Sequence, residues 1–186
     1  MSQQQPAVCR AIDALNEHLG RIVAWTGLIM VLIQFLVVIL RYVFAVGWIP
    51  IQESILYMHG MLFLLGAGFT LKADGHVRVD IFYREASVRK KAAIDIFGVL
   101  TLLLPVCFIT WWYGWSLVAN SWKIMEGSQE PLGLHLVFMM KTFILIFATI
   151  VALQGIALLI RSFLVLSGRL DTNMAPVPEN ERSEPI

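Results

Sequence analysis

IVAWTGLIMVLIQFLVVIL, residues 22–40, runs for 19 residues without a charge. At about 1.5 Å per residue that is close to the ~30 Å hydrocarbon core of a bilayer. Three more apolar stretches, 51–71, 92–118 and 134–160, follow in the same chain of 186 residues. Each is near or above the ~20 residues that a spanning helix needs. Composition agrees, since 58% of the residues are hydrophobic and 15% charged, against about 25% charged in soluble domains. Mean hydropathy is +0.74. The pieces outside the stretches, at most 26 residues long, fall short of the ~50 residues of a small domain. The pattern predicts an all-α integral membrane protein with four transmembrane helices and short interfacial segments, and it excludes a soluble enzyme or binding domain.

The net charge of +1 argues against nucleic acid as a partner, because phosphate binding needs a concentrated basic surface. The distribution of cations is more informative. Arg10, Arg21, Lys72, Arg78, Arg84, Arg89, Lys90, Lys91, Arg161, Arg169 and Arg182 fall on the side shared by the N-terminus, the 72–91 loop and the C-terminus. Only Arg41 and Lys123 fall on the other. The positive-inside rule then predicts that both termini are cytoplasmic. Residues 1–21 read as a leader that is not a signal peptide, because Asp13 and Glu17 interrupt it and the apolar run after Arg21 is too long for an h-region. Cys9 and Cys107 lie at different depths and imply no disulfide framework.

Within the leader Ile12, Leu15, Leu19 and Ile22 recur at helical spacing, with Asp13, Asn16 and Glu17 on other faces. Two readings stand: a separate amphipathic helix on the membrane surface, or the start of the first helix. The turn around Gly47 and Pro50 is short, so the first two helices form a hairpin. In the 72–91 loop Val77, Val79, Ile81, Phe82 and Tyr83 alternate with cations, which suggests a segment lying on the lipid headgroups. Asp80 could cap a short helix there, and Ser87 could cap the third helix. Trp48, Trp111, Trp112, Trp115 and Trp122 with Tyr113 read as an interfacial belt in preference to an aromatic ligand box. The four helices make a membrane domain over 22–166, and 167–186, with its prolines and acids, reads as a disordered cytoplasmic tail.

Ionisable groups inside spans cost about 2.5–3.5 kcal/mol each on insertion scales and call for a partner, water or a function. They are Glu53, His59, Asp95 and Lys141. On a helical wheel Glu53 shares a face with Tyr57, Gly60 and Ala67, and Lys141 with Leu145, Ala148, Ala152 and Gly155, small-residue stripes that suit close helix contact. An ion pair between Glu53 and Lys141 is expected. Asp95 and Arg161, at the inner ends of the third and fourth helices, could also pair. Gln154 and Arg161 share a face nearly opposite that of Lys141, and a peripheral helix could not turn both inward, so the second seam points to another subunit. A b-type haem would want two histidines at matching depth, yet only His59 is near mid-membrane, and it reads as packed or hydrogen-bonded. There is no metal-ligand spacing, phosphate loop or Ser/His/Asp set, so no cofactor, metal or catalytic residue is expected. Nor are there the broken helices or paired repeats of a self-sufficient transporter. The chain reads as an accessory.

Arg41-Tyr42, Gln52-Glu53, Leu65-Gly66-Ala67-Gly68 and above all Asp74-Gly75-His76-Val77-Arg78-Val79-Asp80 resemble the small membrane subunit of tripartite ATP-independent periplasmic (TRAP) transporters. Lys141 and the stretch from Leu153-Gln154-Gly155 to Ile160-Arg161 look like that family's fourth helix. The resemblance implies a non-catalytic subunit of the bacterial inner membrane that binds a large elevator-type permease subunit. A periplasmic substrate-binding protein would deliver an organic acid or related solute to it for sodium-coupled uptake. With the helical-wheel reading, it makes Arg41, Glu53, His76, Arg78, Asp80, Lys141, Gln154 and Arg161 structural or partner-interface candidates, and the apolar residues set among Arg78 and Arg84 in the 72–91 loop make lipid a further expected partner. Two other readings compete: a stand-alone four-helix redox or quinone-interacting protein, and an accessory subunit of another membrane complex.

Overall fold

The computed structural model describes residues 5–77, 83 and 86–169. Every regular element among them is helical. The elements are α1 (Ala7–Tyr42), α2 (Ile49–Lys72), α3 (Val88–Gly98), a π-helical turn (Val99–Leu103), α4 (Leu104–Lys123) and α5 (Val137–Leu166). The rod from Val88 to Lys123 counts as one crossing, so four helices are long and apolar enough to span a membrane. The protein is a multi-pass membrane protein.

The leader is continuous with the first span. α1 contains 36 residues, about 54 Å at 1.5 Å per residue, so roughly 24 Å of it exceeds the apolar core. Nothing from Ala7 to Arg21 breaks a helix except Gly20, and a single glycine costs only about 1 kcal/mol. The residues buried along α1 are Cys9, Ile12, Asn16 and Val23. Leu15 and Ile22, assigned to the apolar face by their spacing, are exposed. α1 therefore turns a partly polar stripe toward the bundle and leaves aliphatic residues to the surroundings, the reverse of a soluble amphipathic helix.

α5 is central. It packs against α1, α2, α3 and α4, and 33% of its most apolar window is buried, against 6% for α1. The stripe of Leu145, Ala148 and Gly155 is buried, and so is the opposite seam of Gln154, Ala157 and Arg161. At Gly155 a Cβ would lie 2.6 Å from Leu103 Cδ2, so glycine is what lets the π-turn sit directly on α5. Pro105 accounts for that turn: it cannot donate to the carbonyl four residues back and its ring crowds it. The helix widens by one residue there, and Leu104 donates to the Val99 carbonyl five residues earlier.

Helix ends follow local rules. α2 stops in a Schellman motif with Asp74 left-handed at φ 55, Gly75 N–H donating to the Thr70 carbonyl at 2.9 Å and Asp74 N–H to Leu71 at 3.3 Å. Met125 and Gly168 play the same left-handed part after α4 and α5. Ser87 does hold the N-cap position of α3, but its side chain makes no capping hydrogen bond. The expectation of a short helix capped by Asp80 falls outside the described residues, as does the tail beyond 169.

Gly68 sits where α1, α2 and α5 converge: a Cβ there would overlap Asn16 Oδ1 and lie 3.5 Å from Ile150. Gly66, two residues earlier, faces open space. Gly68→Ala should cost about 1–3 kcal/mol by overpacking and lower the melting temperature of the detergent-solubilised protein, whereas Gly66→Ala should leave it unchanged or slightly raised.

Candidate functional site

Side chains that can form ion pairs or strong hydrogen bonds collect at the two ends of the bundle. At the end where α1 begins, Arg161 Nη2 donates to both carboxylate oxygens of Asp13 at 2.5 Å. Gln154 Nε2 also donates to Asp13, at 3.1 Å, and Asn16 Nδ2 donates to Gln154 Oε1 at 2.8 Å. The Asp13 and Arg161 side chains are only 19% and 10% exposed. One turn further along α1, Glu17 binds Lys72 at 2.5 Å and Arg21 at 3.0 Å. α1 is thereby tied to both α5 and α2.

This cluster revises two expectations. Gln154 and Arg161 do not wait for another subunit, because α5 is not peripheral and the long α1 brings Asp13 and Asn16 onto that face. Nor do Arg161 and Asp95 pair, since Arg161 is taken by Asp13 and Asp95 accepts a hydrogen bond from Tyr83 at 3.2 Å. The sequence puts Asp13 and Asn16 on faces other than that of Ile12, Leu15, Leu19 and Ile22. The signal that could have found them is the heptad spacing of Cys9 and Asn16, which puts an amide on the same stripe as Ile12.

At the opposite end the expected ion pair between Glu53 and Lys141 is not formed, because each holds the connection between α4 and α5. Glu53 accepts hydrogen bonds from Ser128 Oγ and, at 2.6 Å, from the Leu134 amide. Tyr57, one turn on, donates to the Leu134 carbonyl at 3.4 Å. Lys141 binds Glu126 at 2.5 Å. The reason is geometric: α4 runs to Lys123 and α5 begins at Val137, leaving a compact loop whose polar groups reach both charges before they can reach each other. Lys141 holds the Glu126 carboxyl below the usual carboxylate range. Trp122 Nε1 donates to Thr142 at 2.9 Å and its ring meets Phe138 edge-on at 4.6 Å, fixing the same loop from the other side.

The remaining singled-out residues are dispersed. Arg41 is exposed in the last turn of α1, and His76 is exposed just beyond α2. Arg78 and Asp80 lie outside the described residues. His59, expected to be packed or hydrogen-bonded, is exposed and lines a groove between α1 and α2. Among the described residues no group of three or more His, Cys, Asp and Glu side chains could hold a metal. The arrangement fastens helices and a loop. Among the described residues it does not bring an acid, a base and a nucleophile to one point.

A family model described as tripartite ATP-independent periplasmic transporters, DctQ component, matches residues 30–165, well over half of the chain. No curated protein and no solved structure matches it.

Removing either member of the Asp13–Arg161 pair should destabilise the protein by roughly 2–4 kcal/mol, somewhat below a fully buried pair because both side chains keep some exposure. Asp13→Leu combined with Arg161→Met should recover much of that loss, and a double-mutant cycle on detergent-solubilised protein should show strong non-additivity. The Glu126 tie has a definite pH sense. Its folded-state titration is depressed, so its stabilisation is complete above the ordinary carboxylate range and is lost as pH falls through the depressed value. The melting-temperature gap between wild type and Glu126→Gln should accordingly be constant near neutrality and shrink in acid.

Proposed function

The chain belongs to the DctQ component family of the tripartite ATP-independent periplasmic transporters, and from that membership we propose that it is the non-catalytic small permease subunit that binds and stabilises the large elevator-type permease subunit. The assembly takes up an organic acid or related solute, coupled to sodium and delivered by a periplasmic substrate-binding protein. It sits in the bacterial inner membrane with both termini in the cytoplasm, an orientation supported by the concentration of cations at the α1-start end.

The observation that carries the non-catalytic role is where the charges go. Glu53, Lys141, Asp95 and Arg161 are each engaged with other groups of this chain, so they brace helices instead of lining a path for a solute. A subunit built this way contributes a fixed wall. We assign Arg41, His76, Arg78 and Asp80 the role of meeting lipid headgroups or the large subunit at the membrane surfaces, a reading supported for Arg41 and His76 by their exposure at or just beyond helix ends.

Proteoliposomes containing the large subunit and supplied with the binding protein should take up solute under an inward sodium gradient only when this chain is co-reconstituted. This chain alone should give none. Equal uptake without it would count against the proposal, and a haem or flavin absorbance band in the purified chain would point to redox chemistry instead.

A further inference from the structure

The groove between α1 and α2 has a volume of about 500 Å³, and no residue of α3, α4 or α5 lines it. Its walls are mostly aliphatic, Met30, Val31, Ile55 and Leu56, but three polar side chains enter it: Gln34 from α1, and Gln52 and His59 from α2. Gln34 and His59 are exposed and Gln52 is half-buried. None of the three side chains hydrogen-bonds to another described residue.

Their depth makes this notable. α1 and α2 are joined by a short turn, so the end of one is level with the start of the other. Gln34 lies eight residues before Tyr42 and His59 ten residues after Ile49, about 12 and 15 Å along their axes. Both therefore lie inside a hydrocarbon layer ~30 Å thick. Gln52 lies about 4–5 Å from the start of α2. Amide and imidazole groups facing hydrocarbon without partners are costly. The charged groups Glu53, Lys141 and Asp13 are engaged within the chain, whereas these three side chains share one groove and find no partner among the described residues.

We propose that the α1–α2 groove is the docking face for a transmembrane helix of the large permease subunit, one that presents hydrogen-bonding side chains to Gln34 and His59. This rests on the small-subunit reading above and adds to it the surface that the partner occupies. A lipid fits poorly, because an acyl chain offers no hydrogen bond and a headgroup stays at the interface, well above both residues. A helix fits on two counts. It brings its own backbone satisfied into the bilayer, and a groove between two helices accepts the side-chain ridge of a third. A second copy of this chain is the competing occupant, since amides can pair with amides.

The test uses the intact complex in its own membranes. p-Benzoylphenylalanine placed at Val31 or Leu56, which are 61% and 57% exposed, should photo-crosslink to the large subunit. The same probe at Trp112, on the exposed face of α4, should not. Gln34→Leu combined with His59→Leu should lower recovery of the large subunit with the tagged chain by roughly tenfold. Apolar replacements insert at least as readily as the originals, so the amount of this chain in the membrane should not fall.

Adducts only with a second copy or with lipid, adducts only from Trp112, or undiminished recovery of the double variant would each overturn the assignment of this face while leaving the small-subunit reading intact. Failure of the wild-type chain to recover the large subunit at all would instead overturn that reading, and this inference with it.

Discussion

One carboxylate decides how the bundle is put together. Asp13 belongs to the part of α1 that overshoots the apolar layer, and it accepts hydrogen bonds from Arg161 and Gln154 of α5. A charge in low dielectric is tolerated only when paired and hydrogen-bonded. Asp13 and Arg161 each meet that condition only through the other, so α1 cannot leave α5 without stranding both. Asn16 extends the cluster, and the small size of Gly68 opposite Asn16 lets α2 close on the same point.

The consequence for α5 is that it is used on both faces. Its first turns carry Lys141 to the α4–α5 loop, its middle lays Ile150 beside Gly68 of α2 and Gly155 against the π-turn, and its end delivers Gln154 and Arg161 to α1. In water such a helix would be recognised by apolar residues all round. In a membrane that pattern also describes a lipid-facing helix, because every span is apolar all round, and only small and polar residues distinguish a central position from an outer one.

That ambiguity sets what was legible in the sequence. The four crossings, the hairpin between α1 and α2 and the small-residue stripe of α5 follow from apolar length and spacing alone. The partners of the charges did not follow, for a reason that differs from site to site. Glu53 and Lys141 were sought across helices, whereas their partners, Ser128, Glu126 and the Leu134 amide, come from a loop whose shape depends on a left-handed Met125 that no rule anticipates. The apolar run of the first span opens at residue 22, nine residues after Asp13 and six after Asn16, so hydropathy alone does not bring either residue to Arg161. Gln34 is inconspicuous in the sequence, since one amide in an apolar run of 19 residues barely alters hydropathy.

α1 and the α3–α4 rod each contain 36 residues, well beyond one bilayer thickness, and helices of excess length ordinarily accommodate by tilting. Here the surplus of α1 is anchored at one end only, by the ties of Asp13 and Glu17, while its other end runs into a short turn at Ala45 without an ionic anchor. The polar knot therefore holds α1 against α5 and α2 at that end, so tilting of α1 in a thinner or thicker bilayer would displace chiefly its far end, around Tyr42 and Trp48.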